Sequence, residues 1–143
     1  MLAFIIGQIA FFILFFLWEL PQNIAGAILY VIMLIRGTVI NSERTLQRQF
    51  IQTKRLGICL GYFVFWTTEK YGDTNRTRKH EYGHSIQSRL LGPLYLILVG
   101  IPSMARYLYA IYFESKTHRT WTKYYAGYPE NWADRLGKIT RNT

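Results

Sequence analysis

The sequence predicts a mainly α integral membrane protein, and three observations carry that prediction. Residues 1 to 18 are almost wholly apolar, with Gln8 the one strongly polar side chain, and they are long enough to cross a bilayer. A second apolar run, 24 to 35, follows a break at Leu20-Pro21-Gln22-Asn23. A third fills 94 to 113 and is interrupted at Gly100-Ile101-Pro102-Ser103. The order expected is an N-terminal helical hairpin, a short β segment, a helix bearing two histidines, kinked or re-entrant membrane helices, and a short C-terminal helix. Residues 1–143 read as a single membrane-integrated unit, with 1–36 the hairpin, 37–79 a polar stretch containing a strand, and 80–143 a core that includes the membrane segment 94–113.

The second run has only a dozen residues, short for a full span unless its polar flanks are drawn in. A secretory signal peptide is the competing reading, with Ala25-Gly26-Ala27 as a cleavage site, but no Lys or Arg precedes Arg36. All 17 Lys and Arg, and every acid except Glu19, lie from Arg36 onward. Basic residues beside membrane spans mark the cytoplasmic side. The stretch with Arg36, Arg44, Arg48, Lys54 and Arg55 is therefore expected there, with the N-terminus inside and the Pro21 turn outside. The net charge of +9 suits anionic lipid headgroups. Nucleic acid is not an expected partner, because no nucleic-acid-binding module is present and half the residues are apolar.

Residues 37 to 56 read as a polar stretch, with the strand placed after them. Gly57-Ile58-Cys59-Leu60-Gly61-Tyr62-Phe63-Val64-Phe65-Trp66 is rich in aromatic and branched side chains and reads as a strand. Residues 67 to 79 read as a loop turning at Gly72-Asp73, with Thr74 or Thr77 capping the helix that carries His80. That helix should reach about Leu91, where Gly92-Pro93 stops it. The lone Cys59 excludes an intramolecular disulfide and a thiolate-rich metal site, and nothing near it marks an activated nucleophile. Phosphate-binding glycine loops, internal repeats and low-complexity tracts are absent.

His80-Glu81-Tyr82-Gly83-His84 carries the chemistry. It spells HExxH, which on a helix sets two imidazoles one turn apart on one face, able to share one ion. Glu81 sits where it can take a proton from an attacking water and return it to a leaving amine. Gly83 costs helix propensity and makes sense where another backbone, such as the proposed strand, packs close. A catalytic zinc has three protein ligands and an open position. Near the C-terminus Glu130 and Asp134 stand at i and i+4, with Pro129 suited to a first helical turn and Gly137 to its end. Glu130 could be the third ligand, and Asp134 could fix a ligand histidine's tautomer. A solvated acidic face is the plainer alternative.

HExxH followed downstream by ExxxD resembles the gluzincin metallopeptidases. The form Glu130-Asn131-Trp132-Ala133-Asp134 is similar to the membrane-embedded branch that includes the CaaX prenyl endopeptidases and heat-shock membrane zinc endopeptidases. The resemblance covers two short motifs and their order, in a chain much shorter than those enzymes. It implies Zn2+ on His80, His84 and Glu130, Glu81 as general base, Asp134 behind a ligand, a peptide or membrane-protein substrate, and a bacterial cell membrane with the site at its cytoplasmic face. Zincins commonly place an edge strand before the active-site helix, and residues 58 to 66, with Tyr62 and Val64, are proposed for that role. An oxyanion donor is expected from His118, Tyr124, Tyr125 or Tyr128. A chain this small leaves room for a homo-oligomer or partner subunit to complete the groove. The other class of reading is non-enzymatic: a structural metal closed by His118 as fourth ligand, or a polar network bridging helices.

Overall fold

The computed structural model describes residues 1–67 and 74–141. Helices α1 (Leu2–Trp18) and α2 (Leu20–Ile35) precede strands β1 (Val39–Thr45), β2 (Arg48–Thr53), β3 (Ile58–Leu60) and β4 (Phe63–Thr67). Helix α3 (Thr74–Leu91) follows, then a 3-10 turn at Gly92–Leu94 and a π-helical turn at Leu96–Gly100 that lead into α4 (Ile101–Thr117). A 3-10 turn at Tyr124–Ala126 and the short α5 (Glu130–Leu136) complete the chain.

The strands form one mixed sheet in the order β1-β2-β4-β3, antiparallel at both ends and parallel between β2 and β4. This overturns the expectation of a mainly α integral membrane protein: the fold is α and β, built around a sheet. Alternation along the strands sends side chains to opposite faces. Ile51 and Phe65 pack on Met33 of α2, while Phe50, Cys59 and Val64 pack with Tyr82 of α3 on the other face. The sheet is thus covered by α2 on one side and by α3 on the other.

Three further expectations are corrected. The polar stretch 37 to 56 holds β1 and β2, joined by Leu46 and Gln47 at φ 51 and 57, the positive pair a tight hairpin needs. Its strands read as polar because β1 is an exposed edge and because β2 buries Arg48 through an ion pair. The single strand expected over 57 to 66 breaks at Gly61 (φ 62) into β3 and β4. A Cβ there would meet Asn23 Oδ1 at 2.2 Å, and Asn23 Oδ1 also accepts from the Tyr62 amide at 2.6 Å. The expected helical hairpin is absent, because α1 and α2 are bent by 88°.

That elbow is buried against the rest of the fold. Pro21, in the first turn of α2, has no N–H with which to continue the ladder of α1. Glu19 is buried and receives two hydrogen bonds from Arg48, at 2.7 and 3.0 Å, and Arg48 also donates to the Ser85 carbonyl of α3 at 2.7 Å. Gln22 donates to Ser88 Oγ and the Gly92 carbonyl, and Trp18 Nε1 to the Arg89 carbonyl. The elbow therefore holds the C-terminal half of α3 by polar contacts buried in an otherwise apolar region.

Among the described residues one helical stretch, Leu96–Thr117, is by itself long and apolar enough to cross a membrane, and α1 with α2 passes the same test only as a bent pair. The run 94 to 113 is not a returning pair of short helices. Pro102 leaves the Leu98 carbonyl without its usual donor, and Tyr128 Oη donates to it at 2.6 Å, so the helix continues past the interruption. The chain returns afterward, along α4: Trp121 lies edge-on to Tyr109, and Arg106 donates to the Tyr124 carbonyl at 2.9 Å. Large apolar side chains remain exposed on α1, α2 and α4, including Phe4, Leu14, Ile28, Leu34, Ile101 and Leu108.

Candidate metal centre

The described part of helix α3 starts at Thr74, one of the two capping positions expected, within the stretch 67 to 79 read as a loop, and ends at Leu91 as expected; residues 68–73, with Gly72-Asp73, lie outside the described residues. His80, Glu81 and His84 occupy its middle, all buried. Helix α5 crosses this turn at very short range. A Cβ on Gly83 would sit 2.0 Å from the Ala133 carbonyl oxygen, and one on Gly137 would sit 2.2 Å from that of Lys79. Gly83 therefore admits the backbone of α5, not the strand that its position suggested.

This approach brings Glu130 and Asp134 to the histidines. Glu130 Oε2 lies 2.9 Å from His80 Nε2 and 3.2 Å from His84 Nε2. Asp134 Oδ1 accepts from His80 Nδ1 at 2.7 Å and Gln87 Oε1 from His84 Nδ1 at 2.7 Å, so both rings direct Nε2 at Glu130. The Gln87 amide is oriented by its own donation to the Pro129 carbonyl, at 3.1 Å. Behind Glu130, Ser103 of α4 donates to Oε1 at 2.6 Å. Arg141 bonds Asp134 and stacks over the Tyr125 ring, which lies edge-on to His80 with centroids 5.1 Å apart.

Electrostatics follow this geometry. Burial disfavours the charged form of His80, but its bonds to Asp134 and Glu130 outweigh that and raise its pKa to about 9. Burial would raise Glu130 as well, yet the hydrogen bonds from His80 and His84 hold it far below the ordinary carboxylate range. Asp134 is likewise lowered, with bonds from His80 and Arg141 overcoming burial. Glu81 moves the other way: burial pushes its carboxyl up. Its Oε2 is buried without a partner, and a Cβ on Gly57, just before β3, would sit 2.8 Å from its Oε1.

The donor set could hold a divalent metal ion. A tetrahedral site with bonds of ~2.0–2.1 Å sets its ligand atoms roughly 3.3 Å apart. The two measured separations, 2.9 and 3.2 Å, are close to that spacing. Among the described residues His80, His84 and Glu130 are the one group of this kind.

Other site expectations fare differently. His118 caps the C-terminus of α4, fifteen residues beyond Ser103 and hence ~22 Å along the helix. It neither closes the ligand set nor reaches the site. The Tyr128 hydroxyl is engaged by Leu98, and Tyr124 abuts Tyr125, so of the four proposed oxyanion donors only Tyr125 has its ring against a ligand. Val64 lies in β4, paired on both sides to Phe50 and Cys59, and Tyr62 lies in the turn before it; neither offers a free edge. The outer edge on that side belongs to β3, where Tyr95 Oη donates to the Cys59 carbonyl at 3.0 Å.

Gln87 and Ser103 were missed in the sequence. Gln87 had a signal, being i+3 from His84 on the ligand face. Ser103 had none, because only the packing of α4 on α5 brings it to Glu130. Comparison with protein families, curated proteins and solved structures finds no match.

Proposed function

We propose that the chain is a zinc metalloendopeptidase of gluzincin type acting beside a membrane. The observation that supports this best is the convergence of His80 Nε2, His84 Nε2 and Glu130 Oε2 on one point, next to a buried Glu81 carboxylate oxygen with no partner. A zinc ion held by those three side chains would polarise a peptide carbonyl and acidify a water. Glu81 takes the proton of the attacking water and delivers it to the leaving amine, a task for a carboxyl whose pKa burial raises above its ordinary value. Asp134 and Gln87 hold the imidazoles in the tautomer that leaves Nε2 free, and Ser103 aims the carboxylate. Tyr125 is the side chain best placed to meet an oxyanion.

The exposed apolar faces of α1, α2 and α4 support contact with lipid, and the basic residues from Arg36 onward support placing the site on the cytoplasmic side. Peptides presented at that surface are the proposed substrates.

A second reading rests on one observation: the histidines and Glu130 already lie within hydrogen-bonding range of each other, as a polar network bridging α3, α4 and α5 would require. Metal analysis of the purified protein, with Glu81→Gln beside His84→Ala, separates the two. The peptidase retains about one zinc in Glu81→Gln but loses peptide cleavage by roughly 10²–10⁴-fold, and it loses the metal in His84→Ala. Protein that takes up no divalent metal would sink the peptidase and leave the network.

A further inference from the structure

We infer that the cleft between the start of α3 and the turn after α5 binds a phosphate group. It measures about 170 Å³ and is lined by Asn75, Arg76 and Lys79 from one wall and Lys138, Ile139 and Thr140 from the other. Three cations and two hydrogen-bonding polar side chains meet there, and among the described residues no carboxylate lines it. The two walls are pinned together by the contact of Gly137 with the Lys79 carbonyl.

Several basic side chains outside the cleft have partners. Arg48 pairs with Glu19, Arg78 with Glu43 and Arg141 with Asp134, while Arg106 donates to backbone carbonyls. Lys79 and Lys138 have no such partner among the described residues, although they stand on facing walls where like charges repel. Lys138 also holds φ 55, a left-handed conformation that glycine or asparagine adopts at lower cost. The turn needs that backbone, since the Lys138 and Ile139 amides bond back to the Arg135 and Asp134 carbonyls. It does not need the lysine side chain, and that side chain opens on the cleft.

An anion relieves the repulsion. A phosphate, with acceptor oxygens directed several ways, can be met from both walls at once by ammonium, guanidinium, hydroxyl and amide donors. A soluble phosphate ester and a lipid headgroup both present this chemistry. The inference is independent of the metal centre, and its test reads binding alone.

The full chain in neutral maltoside micelles is titrated separately with inorganic phosphate, phosphatidylglycerol and phosphatidylcholine, following the thermal midpoint and lipid retention by native mass spectrometry. Wild type should be stabilised by inorganic phosphate or phosphatidylglycerol, and phosphatidylcholine should do least. Lys79→Ala should weaken the effect about tenfold. Lys138→Gly decides the matter, because glycine suits the left-handed turn: without anion it should melt no lower than wild type, yet it should respond to anion about tenfold more weakly. A response to inorganic phosphate assigns a soluble phosphate; a response to phosphatidylglycerol alone assigns the headgroup. No stabilisation by either anion, or equal stabilisation of wild type and Lys138→Gly, overturns the proposal.

Discussion

Ser103 donates a 2.6 Å hydrogen bond to Oε1 of Glu130, the carboxylate oxygen turned away from the two histidines. The other oxygen is thereby left to face His80 and His84. An apolar helix thus supplies the one hydroxyl that orients the third member of the candidate metal set. Ser103→Ala should lower zinc affinity by roughly 10–100-fold, the usual effect of removing a group behind a ligand, without unfolding the chain. Competition with a chelator of known affinity measures it, and an unchanged affinity would mean that α5 alone holds Glu130.

Gln87 plays the corresponding part for His84, accepting from Nδ1 while its amide donates to the Pro129 carbonyl. Gln87→Met preserves bulk but removes both bonds. Zinc affinity should fall by about tenfold or more, and the loss should be absent in Gln87→Glu if acceptance from His84 is what counts.

Gly57 lies against the Glu81 carboxylate, where an added methyl would sit 2.8 Å from Oε1. Gly57→Ala should displace the carboxylate while leaving the ligands in place. Peptide cleavage is expected to drop by roughly 10–100-fold with metal content unchanged, since misplacement of about 1 Å has that effect on positioned groups. Equal loss of metal and activity would show that the substitution disturbs α3 as a whole.

The Glu19 and Arg48 pair is buried at 1% and 2% exposure, so removing one partner strands a charge. Glu19→Leu or Arg48→Met alone should cost about 3–5 kcal/mol, whereas the double substitution should recover much of it. Denaturation in micelles across this cycle tests the coupling; additive losses would show that the two charges act separately.

Burial pushes the Cys59 thiol far above its ordinary pKa, despite the nearby Arg48 guanidinium. The thiolate is the reactive form, so folded protein at pH 9 should resist iodoacetamide while denatured protein is alkylated rapidly. Because the folded pKa is raised, the neutral thiol in the fold becomes destabilising relative to the unfolded chain only above the unfolded pKa of ~8.5. Rapid labelling of the native protein at pH 9 would contradict the burial of β3.

The two motifs were legible because their chemistry is local. HExxH sets its side chains by helix geometry alone, and Glu130 and Asp134 repeat that spacing. The sheet was less legible. Strand β1, Val39–Thr45, is an exposed edge with no apolar alternation, and Arg48 looks like a surface residue until Glu19 is brought to it across 29 positions. Apolar runs likewise suggested a hairpin where Glu19, Gln22 and Asn23 instead turn inward to bond Arg48 of β2, α3 and the turn before β4 respectively.

By itself the sequence determined which residues could meet a metal, where α3 stops and α5 runs, and that Gly83 is a place where a second backbone could pack close. Tertiary structure alone decided that α5 is the backbone crossing Gly83, that Gln87 and Ser103 orient the ligands, and that His118 is remote. The physical reason is range. Helical periodicity fixes neighbours three or four residues apart, whereas Ser103 and Glu130 meet only once α4 and the returning segment have packed.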